Sequence, residues 1–222
     1  MAEMFIQEDG MDNKSFILRC NNEERWIGHS IQSIIDYLPE SEIIIVNNNS
    51  SDDSVEIIKM FGTWNDIKII NIDEYSPGKS LNKGVQAASN EDLVVLSSHC
   101  EVNKFDSSVF DKLENYVAVF GNQIPIYKGK RLKKRYIWSH FIDNEVENMY
   151  SSIEDRYFLH NGFCIYRKSF LLQNPFDESL FGKEDRYWAI DMVNSGHKYL
   201  YDPSIVCDHH WTPRGATWKG IG

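Results

Sequence analysis

The run Glu42–Val46 (EIIIV) is almost continuously β-branched and leaves no alternating polar face for water. A strand that is apolar on both sides must be covered on both sides, which is the situation of a parallel sheet between layers of helix. The neighbouring segments keep to this scheme. Ser15–Cys20 (SFILRC) is a short apolar run that fits a buried strand. Ile27, Ile31, Ile34, Ile35 and Leu38 then fall on one helical face. After Glu42–Val46, the polar loop Asn47–Asp53 offers N-cap residues (Asn49, Ser50, Asp52, Asp53) for a helix carrying Val55, Ile58 and Phe61. A third strand is expected at Ile67–Ile72, a short helix at Ser80–Ala88 after the Pro77-Gly78 turn, and a fourth strand at Leu93–Leu96. Strand and helix in alternation define an α/β domain, and such sheets bind ligands beyond the carboxyl ends of their strands. The polar clusters at 19–24, 47–53 and 97–101 all fall at such ends.

The second half is less regular. A helix is expected over Phe105–Tyr116, strands at Val117–Phe120 and Leu159–Tyr166, and a helix over Arg186–Ser195 ended by Gly196. Short strands are expected at Tyr199–Tyr201 and Ser204–Cys207, while residues 121–160 give no firm assignment. The 222 residues suit one domain with one sizeable core, and no repeat or long linker divides them. Residues 1–13 read as a loose leader without the basic start and apolar stretch of a signal peptide. No apolar run reaches membrane-spanning length. Cys20, Cys100, Cys164 and Cys207 form no close pair, so reduced thiols in a cytoplasmic protein are expected.

A net charge of −10 argues against a nucleic-acid partner. The exception is Lys128–Arg135 (KGKRLKKR), read either as a solvated loop or as a phosphate-seeking patch. In the second reading it meets a diphosphate-linked acceptor or gives peripheral contact with the inner membrane face.

The chemistry concentrates in residues 184–210. Glu184-Asp185 open a helix, and Asp208-His209-His210 close a strand. A carboxylate can act as a base and imidazoles can hold a metal, so the pair suggests activation of a hydroxyl beside a cation. The plainer reading is a helix cap with surface histidines. Arg19, at the end of a buried strand, needs a phosphate or a nearby acid as partner.

Five segments decide between these readings. They are Ser15–Ile27 (SFILRCNNEERWI), Ile43–Ser54 (IIIVNNNSSDDS), Gly78–Gly84 (GKSLNKG), Leu159–Arg167 (LHNGFCIYR) and Phe176-Asp177-Glu178 with Glu184-Asp185. In this order they resemble the family-2 glycosyltransferases of the nucleotide-diphospho-sugar transferase, or GT-A, fold. The resemblance implies a mostly parallel, Rossmann-like central sheet flanked by helices. It divides the domain into a nucleotide-binding half, 14–101, and an acceptor and catalytic half, 102–222. It implies transfer of a sugar, with inversion, from a nucleotide donor to an acceptor hydroxyl, in surface polysaccharide or glycan synthesis.

On that basis Asp185 matches the base, with Glu184 second. Arg19, Asn21, Glu23, Asn47, Asn48, Lys79, Asn82, Ser97 and Ser98 are assigned to the nucleotide. Asn47 and Asn48 stand where the family commonly has an aspartate, and an amide suits uracil or, turned, cytosine. A UDP-sugar is the favoured donor, with a glycan or lipid-linked acceptor. Trp138, Asn161 and Gly162 are assigned to the acceptor, with His140 and Tyr157 as further stacking candidates.

The chain departs from the family at Ser97-Ser98-His99, where Asp-x-Asp is usual. Imidazole ligands suit Mn²⁺, Zn²⁺ or other transition metals better than Mg²⁺, which prefers oxygen. A divalent-metal site is expected from His99 with His209 or His210, and no organic cofactor. The alternatives are metal-free transfer with His99 and Arg214 or Lys219 on phosphate, the last two from a C-terminal flap, or a non-catalytic sugar-nucleotide or glycan-binding module. A metal-dependent hydrolase ranks last, since the tight histidine grouping of such enzymes is missing.

Overall fold

The computed structural model describes residues 14–63 and 65–219. The expected leader, 1–13, and the side chain of Lys219 lie outside the described residues. Four strands build the first half: β1 (Ser15–Cys20), β2 (Glu42–Asn47), β3 (Ile67–Asn71) and β4 (Asp92–Ser97). Between them run α1 (Ile27–Tyr37), α2 (Ser54–Gly62) and α3 (Pro77–Ala87). Asp52 opens α2: its Oδ1 accepts from the Ser54 backbone N–H at 3.1 Å and from the Ser54 hydroxyl at 2.5 Å. The N-cap position itself is Asp53, whose side chain makes no capping bond.

The second half adds β5 (Cys100–Lys104), β6 (Ala118–Tyr127) and four two-residue strands. These are β7 (Lys130–Arg131), β8 (Val146–Glu147), β9 (Tyr150–Ser151) and β10 (Arg156–Tyr157). Then come β11 (Phe163–Arg167), α4 (Lys168–Gln173), α5 (Glu184–Asn194) and β12 (Leu200–His210). The main sheet runs β3-β2-β1-β4-β11-β6-β12-β5, with β7 on β6 and β8 on β12. Strands β1 to β4 are mutually parallel, β11 is antiparallel to both neighbours, and β12 is parallel to β6. The expected α/β sandwich, a mostly parallel sheet flanked by helices, is what forms.

Alternation along β1 feeds two cores. Phe16 and Leu18 point to the side of α1, where Ile27, Ile31 and Ile34 are wholly buried, while Ile17 joins Leu81 and Val85 of α3 on the other face. Each isoleucine buried so completely contributes about 1.5–3 kcal/mol.

Several expectations change. The helix expected at Phe105–Tyr116 is a 3-10 helix over Ser107–Glu114, opened by Asp106 accepting from Ser108 N–H. The strand expected at Val117–Phe120 continues to Tyr127. The strand expected from Leu159 starts at Phe163, because His160–Gly162 turn into the site. The two short strands around Pro203 are one, β12, whose pairing with β6 slips between Asp202 and Val206. Proline has no N–H for the ladder, so the strand bulges there rather than ending.

Candidate active site

A cleft of about 380 Å³ lies at the carboxyl ends of β1, β2 and β4. The turn between β4 and β5 forms its floor. Ser98 is fully buried and its hydroxyl donates to the Arg19 carbonyl, while Ser30 Oγ donates to the carbonyls of Ser98 and Cys100 at 2.8 and 2.7 Å. With the turn tied to β1 and α1 in this way, His99 projects toward β12.

A row of side chains crosses the base of the cleft. Glu23 Oε1 lies 3.1 Å from His99 Nδ1, and His99 Nε2 lies 3.1 Å from His209 Nε2. His209 Nδ1 is 2.9 Å from Gln123 Oε1, and Gln123 Nε2 is 3.0 Å from His160 Nδ1. His160 Nε2 is 3.2 Å from Thr217 Oγ1. One backbone bond fixes the protons of His160, Gln123 and His209. The Gly162 N–H donates to His160 Nδ1 at 2.9 Å, so that nitrogen is an acceptor. Gln123 must therefore turn its NH₂ toward His160 and its carbonyl toward His209. His209 then carries its proton on Nδ1 and presents a lone pair at Nε2, facing His99. Burial, with Arg186 next, lowers the His160 pKa to about 3, so its ring stays neutral. Burial likewise pushes His209 well below the usual histidine value. A Cβ on residue 162 would sit 2.4 Å from Gln123 Oε1, so glycine there makes room for the amide.

The carboxylates stand at the start of α5. Asp185 Oδ2 accepts from the Asn161 N–H at 3.0 Å and from Arg186 Nη1 at 2.9 Å. Burial opposes its charge, but Arg186, His160 and the Asn161 N–H outweigh burial and hold the pKa below the ordinary carboxylate value. Glu184 moves the other way. Burial raises its pKa, Asp185 adds to the rise, and the charge of Arg19 offsets part of it. Arg19 Nη1 meets Glu184 Oε1 at 2.9 Å, so the half-buried arginine has an acid as its partner. Two adjacent acids pushed in opposite directions assign the charged role to Asp185.

Of the residues expected at the nucleotide, Arg19, Asn21, Glu23, Asn48, Ser97 and Ser98 line the cleft. Three do not. Asn47 is spent between strands, donating to Asn71 Oδ1 at 2.8 Å and accepting from the Ser50 N–H at 3.2 Å. Lys79 pairs with Glu74 at 3.0 Å, away from the cleft. Asn82 clamps the 176–178 segment, donating to Phe176 O and Glu178 Oε1 and accepting from the Phe176 N–H.

Of the three histidines expected at a metal, His99 and His209 meet and His210 does not. Alternation along β12 turns its ring outward onto Trp26 (4.0 Å, stacked), with Nε2 2.8 Å from Glu101. Asn161 and Gly162 line the cleft, and the Asn161 Nδ2 is buried without a partner among the described residues. Trp138 is instead a core side chain, edge-on to His209 at 5.0 Å and against Trp218 at 5.0 Å. His140 stacks on Phe158 and bonds Ser151, and Tyr157 meets Tyr150, so neither lines the cleft.

Arg214 closes the mouth, donating to Asn21 Oδ1 at 3.0 Å, and the 214–217 segment forms one wall. Sequence reasoning missed Gln123, Thr217, Arg186 and the role of His160. Only His160 had a signal, its place beside Asn161-Gly162 in a recognised segment.

The comparisons with known proteins agree with this geometry. The model of glycosyl transferase family 2 matches residues 15–176. The chain therefore belongs to glycosyltransferase family 2. It is 27% identical over 189 residues to the O-antigen chain rhamnosyltransferase WbaN of Salmonella anatum, covering 78% of this chain and 58% of the relative. It is 28% identical over 219 residues to poly-beta-1,6-N-acetyl-D-glucosamine synthase of Staphylococcus epidermidis, covering 92% and 49%. The chain thus spans about half the length of the curated relatives it matches. Among solved structures, S. aureus TarS 1-349 in complex with UDP superposes with a TM-score of 0.68 at 21% identity, covering 90% of this chain and 61% of that one. GalNAc-T7 with UDP, GalNAc and Mn²⁺ gives 0.67 at 16% identity, covering 94% and 45%. These likenesses establish the GT-A-type fold.

Proposed function

We propose that the chain transfers a sugar, with inversion, from a UDP-sugar to a hydroxyl of a glycan or lipid-linked acceptor in polysaccharide synthesis on the cytoplasmic side. The observation that carries this reading is the buried Asp185, held by Arg186 and the Asn161 N–H, in the cleft that His99 also lines. In this reaction the acceptor oxygen attacks the anomeric carbon, its proton passes to an oxygen of Asp185, and the nucleoside diphosphate departs from the opposite face. One displacement inverts the centre. Asn21, Asn48 and Ser97 line the side assigned to the nucleotide, within the half 14–101. Asn161 and Gly162 line the side assigned to the acceptor, within 102–222. Arg214 supplies positive charge at the mouth.

The leaving diphosphate needs a counter-charge. Ser97-Ser98-His99 stands where the family has Asp-x-Asp, and His99 and His209 are the residues that would hold a divalent metal. The pair offers two of the ligands such an ion needs, and no group of three His, Cys, Asp or Glu placed to hold a metal occurs among the described residues. The two Nε2 atoms are adjacent, and the His209 Nε2 already presents its lone pair. Two imidazoles suit a transition metal, Mn²⁺ or Zn²⁺, over Mg²⁺, which prefers oxygen. When bound, the metal would supply positive charge to the leaving diphosphate.

The test is Asp185→Asn. Turnover should fall about 10²–10⁴-fold, the usual worth of a general base, while UDP still raises the melting temperature. Full turnover in the variant would remove the base assignment. UDP binding with no turnover in the native chain would favour the non-catalytic donor-binding module.

A further inference from the structure

We propose that the hairpin of β6 and β7 is the surface by which the protein docks onto an anionic lipid bilayer. This deepens the proposed function, since it makes the acceptor a membrane-borne one. The first argument is register. Val95 of β4 and Phe120 of β6 both sit opposite Cys164 of β11, so the two are level. From there β4 ends two residues on, at Ser97, and β6 runs seven residues on, to Tyr127. At about 3.3 Å per residue, the hairpin projects about 16 Å past the end of β4. Both strands run in the same direction, so it projects from the sheet edge where the cleft lies.

The second argument is the chemistry of the tip. Lys128 and Gly129 both have positive φ, 50° and 74°, which makes the tight two-residue turn of a twisted hairpin. Of the six cations in 128–135, Lys134 turns inward to Asn122 and Phe141 O, and Arg131 lies 3.8 Å from Asp208. Lys128, Lys130, Lys133 and Arg135 stay exposed. Between them stand exposed apolar groups: Leu132 at 43%, Tyr136 at 79%, and Tyr127 edge-on to Trp211 at 5.5 Å. Cations interleaved with aromatic and aliphatic side chains on this exposed tip match a headgroup layer, where the charges meet lipid phosphates and the rings enter the interface. None of these side chains lines the cleft. In a chain of net charge −10 this tip is also the part that an anionic surface attracts, so it sets the orientation of approach.

The test is co-sedimentation of the chain with vesicles of phosphatidylcholine alone and of phosphatidylcholine mixed with phosphatidylglycerol. Binding is expected only to the mixed vesicles and should weaken as salt rises. Replacing Lys128, Lys130, Lys133 and Arg135 by Gln should weaken partitioning more than 100-fold, at about five-fold per charge. Leu132→Ser with Tyr136→Ser should weaken it while leaving the salt dependence in place. The melting shift with UDP, measured on each variant, reports the fold and the donor site separately from the surface. Equal sedimentation with neutral vesicles, none with either, or native-like binding by the Gln variant would overturn the proposal. So would a melting shift with pyrophosphate that the Gln variant loses, without vesicle binding, which would make the tip a phosphate site instead.

Discussion

Gln123 shows how one neutral side chain governs charged neighbours. It has no titratable group, yet its carbonyl holds the His209 proton on Nδ1 and leaves Nε2 open. Gln123→Leu keeps the volume and removes both bonds. Outer-shell changes of this kind cost 10–100-fold in metal affinity. The expected outcome is a 10–100-fold weaker Mn²⁺ dissociation constant by calorimetry, with UDP binding in the absence of metal little changed. An unaltered Mn²⁺ constant would mean that His209 keeps its tautomer without the amide. At this scale the sequence was legible where chemistry follows residue type. Asp185, Glu184 and His99 announce themselves as acid, base or ligand, and Arg19 at a strand end demanded a partner. Gln123 and Thr217 carry no such mark, because their role comes from what a distant strand and the C-terminal segment bring beside them. His210 misled because it adjoins His209, and strand alternation sends adjacent side chains to opposite faces.

Among the elements, the N-terminal ends of β1, β2 and β3 are joined through Glu42. Its carboxylate accepts from Ser15 Oγ at 2.5 Å, from the Ser89 N–H at 2.8 Å, and from Lys68 of β3. Burial works against its charge, but these bonds, Lys68 foremost, bring its pKa down to about 2 from 4.5. A carboxylate with a depressed folded value adds stability that is complete above its unfolded value and is lost as pH falls through the folded one. The denaturant midpoint should therefore drop as pH goes from about 4.5 toward 2, and Glu42→Gln should flatten that part of the profile. A variant profile parallel to the native one would show that Glu42 is not the group responsible. The elements of the first half were legible because each is a local pattern: a β-branched run, a 3.6 period, a Pro-Gly turn. Those of the second half were not. β5 and the two-residue strands exist through pairing with partners far along the chain, and β12 was cut at Pro203 because a bulge cannot be told from a strand end without its neighbour.

For the whole molecule, the four cysteines make a probe of cooperativity. All are buried and unpaired. Burial raises the Cys20 thiol to about 11, opposed in part by Ser50 and Ser54, and Cys100 and Cys164 are raised further by the same cause. Burial keeps a reagent from all four, so the native chain should leave them unmodified by a disulfide reagent at neutral pH and release all four on unfolding. Rapid modification of one thiol in native buffer would reveal local opening. Cys20 is the one to watch, since it also lines the cleft.

The contact between Trp218 and Trp138 gives the chain a built-in optical gauge. The Trp218 indole N–H donates to His210 O at 3.1 Å, and its ring lies 6.2 Å from that of His209. One indole therefore rides on the C-terminal segment, the other is set in the core, and the imidazole assigned to the cation lies against both. A displacement of that wall, or a new charge on His209, alters the surroundings of both fluorophores at once. Closure over a nucleotide and occupation of the histidine pair can each be followed as a change in intrinsic emission, with no label attached to the protein.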